Sequence, residues 1–260
     1  MIALLKPLFQ GEWESYGTTL LCEQKPPANA VSIAELITQP FYLKKILQQY
    51  AENLQTSDLR PTASVWITHY IGALLPPVMA ASTLLNHEFP IALDEIFLTM
   101  DKNGTPERFY VSHEGKPFPD NADTEQRYHR LLHQNFQPLI QQLHYYARVP
   151  EKILWGNVAR DLEGLFNEAE EQMRNTPLAE RIAHDRHVLL KCPKKKDKSK
   201  NLLFMYQRDV SVIEDGQPIA ITLHRQCCLY YLLPNDGYCV ACPLAPQYIK
   251  PKLNDVRKSL

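Results

Sequence analysis

The chain has 260 residues, 45% of them hydrophobic and 22% charged, with 28 Lys+Arg against 29 Asp+Glu. That is enough for one large domain or two small ones, and the near-zero net charge excludes a broad nucleic-acid surface, which needs excess cations to neutralise phosphates. None of the nine glycines lies two positions from another, so G-x-G turns are absent, and with them the dinucleotide and kinase-type loops; no Walker A lysine pattern occurs either.

The amino-terminal apolar run, stopped by Lys6 and Pro7, is too short for a signal peptide. The longest apolar stretch, residues 70–81, is about half of a ~20-residue membrane span and holds Pro76-Pro77. The expectation is a cytoplasmic protein with no transmembrane segment, the inner face of the membrane being an open second location. In a reducing cytosol six cysteines read as thiols, metal ligands or redox groups rather than disulfides.

Ser32 and Glu35 have capping-box spacing and predict a helix start. Pro40 restarts the helix, with Phe41, Leu43, Ile46, Leu47 and Tyr50 on one face. A helix over residues 62–74 is predicted to end at Pro76-Pro77, with another running on to about Leu85. Residues 95–100 and 108–113 read as a hairpin around Asn103-Gly104. A long helical segment over 123–147 is expected to kink at Pro138, and another follows Pro150 to about Arg174, with Ile153, Leu154, Val158, Leu162, Leu165 and Phe166 as its buried stripe.

After Pro177 the pattern changes. A short helix to about His187 is predicted to give way to strands over 188–190, 202–206, 210–213 and 218–223, with Asp215-Gly216 as the last turn. The fold class expected is therefore α+β: a predominantly helical body with an inserted hairpin, residues 1–185, and a small β-rich C-terminal region, residues 186–260. Between two of its strands Lys194, Lys195, Lys196, Lys198 and Lys200 stand against Asp197 alone. This run reads as a solvated hairpin tip or as a docking patch for an acidic partner.

Four of the six cysteines fall within 16 residues, where uniform density would place about 0.4. The pattern is C-C-x10-C-x2-C, formed by Cys227, Cys228, Cys239 and Cys242. A C-x-x-C turn points two sulfurs into one pocket, the usual half-site for zinc or iron–sulfur. Cys227 and Cys228 are too close along the chain for an unstrained mutual disulfide, and both face one centre only if the backbone bends beside them. Four thiolates suit a structural zinc or either common cluster type, so these residues alone leave the choice open. His129 and His133 are i, i+4 neighbours, and His184 and His187 an i, i+3 pair, but no zincin glutamate accompanies them.

This arrangement, preceded by Arg225 and followed by Pro243, resembles the ferric-siderophore reductase family typified by FhuF. Trp66, Tyr70, Ile71, Gly72 and Pro76-Pro77 resemble that family's W-x3-Y-I-G-x3-P-P segment, and Trp155 with Asn157 its L/I-W-x-N segment. Related helical segments occur in siderophore synthetases, which lack the cysteine tail. The resemblance spans about residues 60–245 and implies a [2Fe–2S] cluster on Cys227, Cys228, Cys239 and Cys242, with Cys22 and Cys192 as ordinary thiols. It implies one-electron reduction of Fe(III) in a siderophore, expected to be a hydroxamate, and release of Fe(II). Lacking a nucleotide site, the chain is expected to take electrons from a ferredoxin-like or flavoprotein donor, with the five lysines as its docking patch. Trp66, Tyr70 and Trp155 are either core residues or walls of a siderophore cleft, and Arg225 either hydrogen-bonds a cluster sulfur or faces solvent. The rival from another class is a non-catalytic siderophore-binding or scaffolding protein with a structural four-cysteine zinc site.

Overall fold

The computed structural model of the chain describes residues 1–39, 41–214 and 217–248. Its helices are α1 (Glu14–Gly17), α2 (Ile33–Thr38), α3 (Tyr42–Asn53), α4 (Leu59–Met79), α5 (Thr124–His129), α6 (Gln137–Ala147), α7 (Glu151–Gln172) and α8 (Ala179–Leu190). Its strands are β1 (Leu20–Cys22), β2 (Val31–Ser32), β3 (His87–Glu88), β4 (Ile96–Met100), β5 (Pro106–Val111), β6 (Lys116–Pro117), β7 (Asp209–Glu214) and β8 (Gln217–Thr222). The β4–β5 hairpin is flanked by β1, parallel to β5, and by β2, giving a sheet of order β1-β5-β4-β2. The fold is α+β with a helical body, as the hydrophobic periodicity requires.

Local signals act where they stand. Ser32 caps α2 by accepting from the Glu35 backbone, and Leu43, Ile46, Leu47 and Tyr50 form the buried face of α3. Phe41 departs from that face: it precedes α3 in a left-handed conformation and is exposed. Pro40 and the turn expected at Asp215-Gly216 lie outside the described residues. The largest departure is at Pro76-Pro77. There α4 does not stop, but runs through both prolines to Met79 and continues as a π-helical turn, Ala80–Leu84. Dense burial along α4 outweighs the two lost hydrogen bonds, because nearly every residue of its last four turns is packed. The segment Leu59–Leu84 has the length and hydropathy of a membrane span, yet 83% of its most apolar window is buried inside the fold.

The irregularity expected at Pro138 falls just before it. A π-helical stretch, Arg130–Phe136, joins α5 to α6, and the proline occupies the first turn of α6, where its missing N–H costs nothing. Towards the C-terminus two predicted strands are absent. Residues 188–190 extend α8, since Ile182, Leu189 and Leu190 lie on one buried helical stripe, and a three-residue apolar run cannot distinguish the two states. Residues 202–206 are irregular; the β7–β8 hairpin is the regular β-structure of this region among the described residues. The buried core runs through residue 186: Leu203, Leu223, Cys227 and Cys242 belong to the same cluster as Trp66, Leu154 and Leu162.

One polar network fastens the body. Asp185 of α8, fully buried, accepts hydrogen bonds from Thr83 (2.9 Å) and Thr124 (2.6 Å) and pairs with Arg127, also buried. Thr83 in turn meets the Tyr128 hydroxyl at 2.7 Å. Removing the carboxylate strands a buried guanidinium. Asp185→Ala is expected to destabilise the fold by about 3–5 kcal/mol, read from urea melts, whereas an exposed pair such as Asp58–Arg60 is worth less than about 1 kcal/mol.

Candidate metal centre

The cysteine segment lies against α4 and α7. Gly156 of α7 permits the approach: a Cβ there would sit 2.6 Å from Gln226 Cβ, the residue before Cys227. Ser64 of α4, fully buried, donates to the Cys228 carbonyl at 2.7 Å. Asn157 of α7 donates to Ser64 Oγ at 2.9 Å and accepts from Arg160 at 3.1 Å. One hydrogen-bonded chain therefore joins both helices to the backbone between the paired cysteines.

The bend that adjacent cysteines require is present. Leu229, buried, adopts φ 66°, so the chain reverses immediately after Cys228. The Leu229 N–H then approaches Cys227 Sγ at 3.4 Å, and the Tyr230 N–H points to Cys228. The other half is a tight turn in which the Cys242 N–H donates to the Cys239 carbonyl at 3.0 Å. His224 N–H to Ala241 C=O, 2.8 Å, ties the halves together.

Cys227 and Cys242 bring their sulfurs to 3.5 Å, while Cys228 interacts with Cys227 and Cys239 with Cys242. Tetrahedral thiolate ligation at about 2.3 Å separates neighbouring sulfurs by about 3.7 Å, so the central pair fits one metal. Cys239 also feels Cys228, so each of the four thiols has two of the others beside it and all four belong to one cluster. Four thiolates so grouped fit a four-cysteine metal centre. Cys227, Cys228 and Cys242 are buried and Cys239 is exposed, so one edge reaches the surface.

The thiols are electrostatically unequal. Cys228 is drawn down to about 5, first by the hydrogen bond from Cys227, then by the Tyr230 N–H and the charge and hydrogen bonding of Arg160. Its partner Cys227 is pushed up, because its proton is held by Cys228 and because it is buried. Cys239 is raised by desolvation and by the neighbouring sulfurs, with Arg160 opposing.

The guanidinium beside the sulfurs is thus Arg160, not Arg225. Arg225 is buried and donates to Met205 C=O (2.7 Å) and Glu163 (3.0 Å), anchoring the segment to α7. Trp66 and Tyr70 are fully buried core residues; they donate to Gly104 C=O and Asn135 Oδ1, each at 2.9 Å, and present no wall to a ligand. Trp155 is only 2% exposed, at the base of a shallow groove with Lys152, Lys200, Phe204 and Gln226. In the basic loop, Lys195 Nζ meets His133 Nε2 at 2.6 Å, and Lys196 pairs with Asp123 while its backbone N–H donates to the Glu125 carboxylate. Lys194 and Lys200 bridge the loop's base, and Lys198 stands at its tip. His129 and His133 stack at 5.2 Å; with His133 engaged by Gln137 and Lys195, the pair is a helix-surface contact. Sequence reasoning missed Ser64, Arg160 and Asp161; only Asn157, inside the quoted W-x-N segment, pointed to this face of α7.

Asp161, next to Arg160, is pushed up to about 6 by burial, with Arg160 opposing. A carboxyl whose folded pKa exceeds its unfolded value binds more protons when folded. Its ionisation therefore erodes stability as pH rises from about 4 to 6, by up to about 3 kcal/mol at neutral pH. Asp161→Asn is expected to raise Tm at pH 7 and to leave it unchanged at pH 4. Equal melting at both pH values would show that the carboxyl is not desolvated.

Residues 64–211 match the family described as "Ferric iron reductase FhuF-like transporter", and residues 225–244 match "FhuF 2Fe-2S C-terminal domain". A protein of Escherichia coli K12 named "Ferric siderophore reductase" is 23% identical over 228 residues, covering 85% of this chain and 82% of that protein. In structure the chain is similar to aerobactin synthetase IucA of Klebsiella pneumoniae, ATP-bound (TM-score 0.52, 15% identity) and in a second structure (0.51, 13%). Each comparison covers 67% of this chain but only 37% of the synthetase, a likeness of fold alone. Family matches that span the helical body and the four-cysteine segment make this chain a member of the FhuF ferric iron reductase family with a [2Fe–2S] C-terminal segment.

Proposed function

We propose that the chain reduces Fe(III) in a siderophore by one electron, with Cys227, Cys228, Cys239 and Cys242 holding the [2Fe–2S] cluster. The observation that carries this reading is the cluster of four cysteines, held by Ser64 and Asn157 and flanked by Arg160. When bound, such a cluster supplies one electron at a time, at potentials set by hydrogen bonds to its sulfurs and by exposure. The stoichiometry is one electron from a ferredoxin-like or flavoprotein donor for each Fe(III) converted to Fe(II). Hard oxygen ligands such as hydroxamates hold Fe(II) far less tightly than Fe(III), so that electron releases the metal. A hydroxamate siderophore is the proposed substrate, and the cytoplasm the proposed compartment, since its reducing poise keeps thiols available.

The protein's own residues divide the work. Ser64, Asn157 and the Leu229 bend fix the backbone so that two adjacent cysteines face one centre. Arg160 places positive charge against Cys228, and buried Arg225 clamps the segment to Glu163. Cys239 is exposed among exposed Tyr238, Val240 and Leu244, with Tyr231 stacked on Tyr238 at 4.6 Å. A small apolar collar around one sulfur suits the brief, low-area contact of a protein electron donor. Lys194, Lys198 and Lys200 remain the proposed electrostatic part of that encounter, while Lys195 and Lys196 are occupied within the chain.

The test is anaerobic. Protein with two irons and two sulfides per chain, reduced by a low-potential donor protein but not by NADPH alone, is expected to return to its oxidised spectrum on adding ferric trihydroxamate, with Fe(II) captured by a ferrous chelator. Cys228→Ser should lose iron and sulfide together, while Cys22→Ser and Cys192→Ser keep the spectrum. Stoichiometric zinc without sulfide would end this reading.

Arg160→Gln supplies a separate measure. Removing a cation and donor beside a sulfur disfavours the more negative reduced state, so the midpoint potential is expected to fall while iron content stays the same. An unmoved potential would leave Arg160 with a purely structural role.

A further inference from the structure

A groove of about 340 Å³ opens between α4 and α7, with Arg160 in its wall. The N-terminal segment contributes Trp13 and Tyr16, which pack on each other at 5.7 Å; α7 adds Asp161, Gly164 and Glu168, and α4 adds Gly72. The lining is mainly apolar with a few polar groups, the usual make-up of a small-molecule site.

Two of these residues are hard to explain by folding alone. Gly72 and Gly164 sit inside long helices, where glycine is less stable than alanine. Neither has a positive φ, and a Cβ at either would meet nothing within 4 Å, so neither turn geometry nor close packing requires glycine. Both are exposed on the same groove, and what they share is the open space above them.

A second feature concerns the backbone. Pro76 and Pro77 have no N–H, so the carbonyls of Gly72 and Ala73 lack their i+4 helical donors. The Gly72 carbonyl therefore lacks its i+4 donor, and Gly72 lines the groove without a side chain. With Asp161 and Glu168 against Arg160, the groove favours a neutral or cationic ligand and disfavours a strongly anionic one.

We propose that this groove seats the ferric siderophore, a neutral or cationic amide-bearing chelate lying over Gly72 and Gly164, with Arg160 between it and Cys228. The proposal rests on the reductase reading above. From Ser64, bonded to the Cys228 carbonyl, to Gly72 is eight residues, about 12 Å along α4, so the seat adjoins the centre without covering it. The rival groove at Trp155 has the opposite charge balance, Lys152 and Lys200 against Glu151, and suits an anionic ligand.

The test uses the gallium(III) complex of a trihydroxamate, a redox-inert probe, titrated calorimetrically into the cluster-loaded protein. Gly164→Leu replaces a poor helix former with a good one in open space, so it should melt at the same temperature as the wild type or higher. It is nevertheless expected to bind the probe at least tenfold more weakly and to raise KM for the ferric chelate similarly, with kcat and the cluster spectrum unchanged. Glu168→Gln should weaken a cationic chelate more than a neutral one. Lys152→Glu should leave both affinities intact. Wild-type affinity in Gly164→Leu, or loss of binding confined to the lysine variant, overturns the groove while leaving the reductase reading standing. A wild-type protein that neither binds nor reduces any ferric chelate overturns that reading and the groove with it.

Discussion

The buried hydrogen bond between Asn157 and Ser64 is the contact on which the centre depends. It couples α4 to α7 at the level where the C-terminal segment crosses them, and the same serine holds the Cys228 carbonyl. A buried amide and hydroxyl left unpaired would each cost about 1–3 kcal/mol, so this junction is satisfied as a unit or not at all. Ser64 accepts from Asn157 while donating to the Cys228 carbonyl, and Asn157 in turn accepts from Arg160. The guanidinium that acts on Cys228 thereby belongs to the network that positions Cys228. Electrostatics and geometry at the sulfurs are set by one set of residues.

Around that junction, α7 is used on several sides. Its Gly156 admits Gln226, its Glu163 receives Arg225, and its Arg160 serves Cys228. Glu163 also lies within ion-pair distance of Arg186 and Lys191, which brings α8 into the same arrangement. A shift of α7 by a fraction of a turn would disturb the sulfur contacts, the clamp and the groove together. This explains why a helix with so polar a sequence carries an almost unbroken buried stretch, Ile153 to Ala159, opposite the cysteine segment.

Much of this was legible in the residues, and the failures have physical causes. The density and spacing of the four cysteines pointed to the segment that matches the 2Fe-2S family model, and the bend that Cys227-Cys228 calls for is present at Leu229. The β4–β5 hairpin followed from alternation around Asn103-Gly104, and α3 from its apolar stripe. What was illegible depended on long-range neighbours. Whether Pro76-Pro77 ends a helix depends on how well its flanks are packed, and α4 is packed on nearly every side. Which arginine reaches the sulfurs depends on the crossing of α7 under the tail, and Arg160 lies 67 positions before Cys227 in the chain. Trp66 and Tyr70 illustrate a further limit: a motif that marks a family need not mark its ligand contacts, because an aromatic core that positions α4 is as characteristic as a site.

Residue 186 lies inside α8, and one buried cluster spans both sides of it, for a thermodynamic reason. Among the described residues the C-terminal region contains one hairpin, short helical turns and irregular backbone, and a lone two-stranded hairpin is marginally stable in water. A piece of that size buries too little apolar surface to offset the entropy of ordering it. Its apolar side chains, Leu203, Leu223, Leu229 and Leu233, are instead buried in the core that α4 and α7 build. The tail therefore gains its structure from the body. Cys227 and Cys242 come within 3.5 Å because Ser64 and Glu163 hold the first half on that surface and the His224–Ala241 backbone hydrogen bond draws the second half to it. Aerobactin synthetases share the fold of the body. In this chain that platform receives the four-thiol segment through Ser64, Asn157 and Glu163.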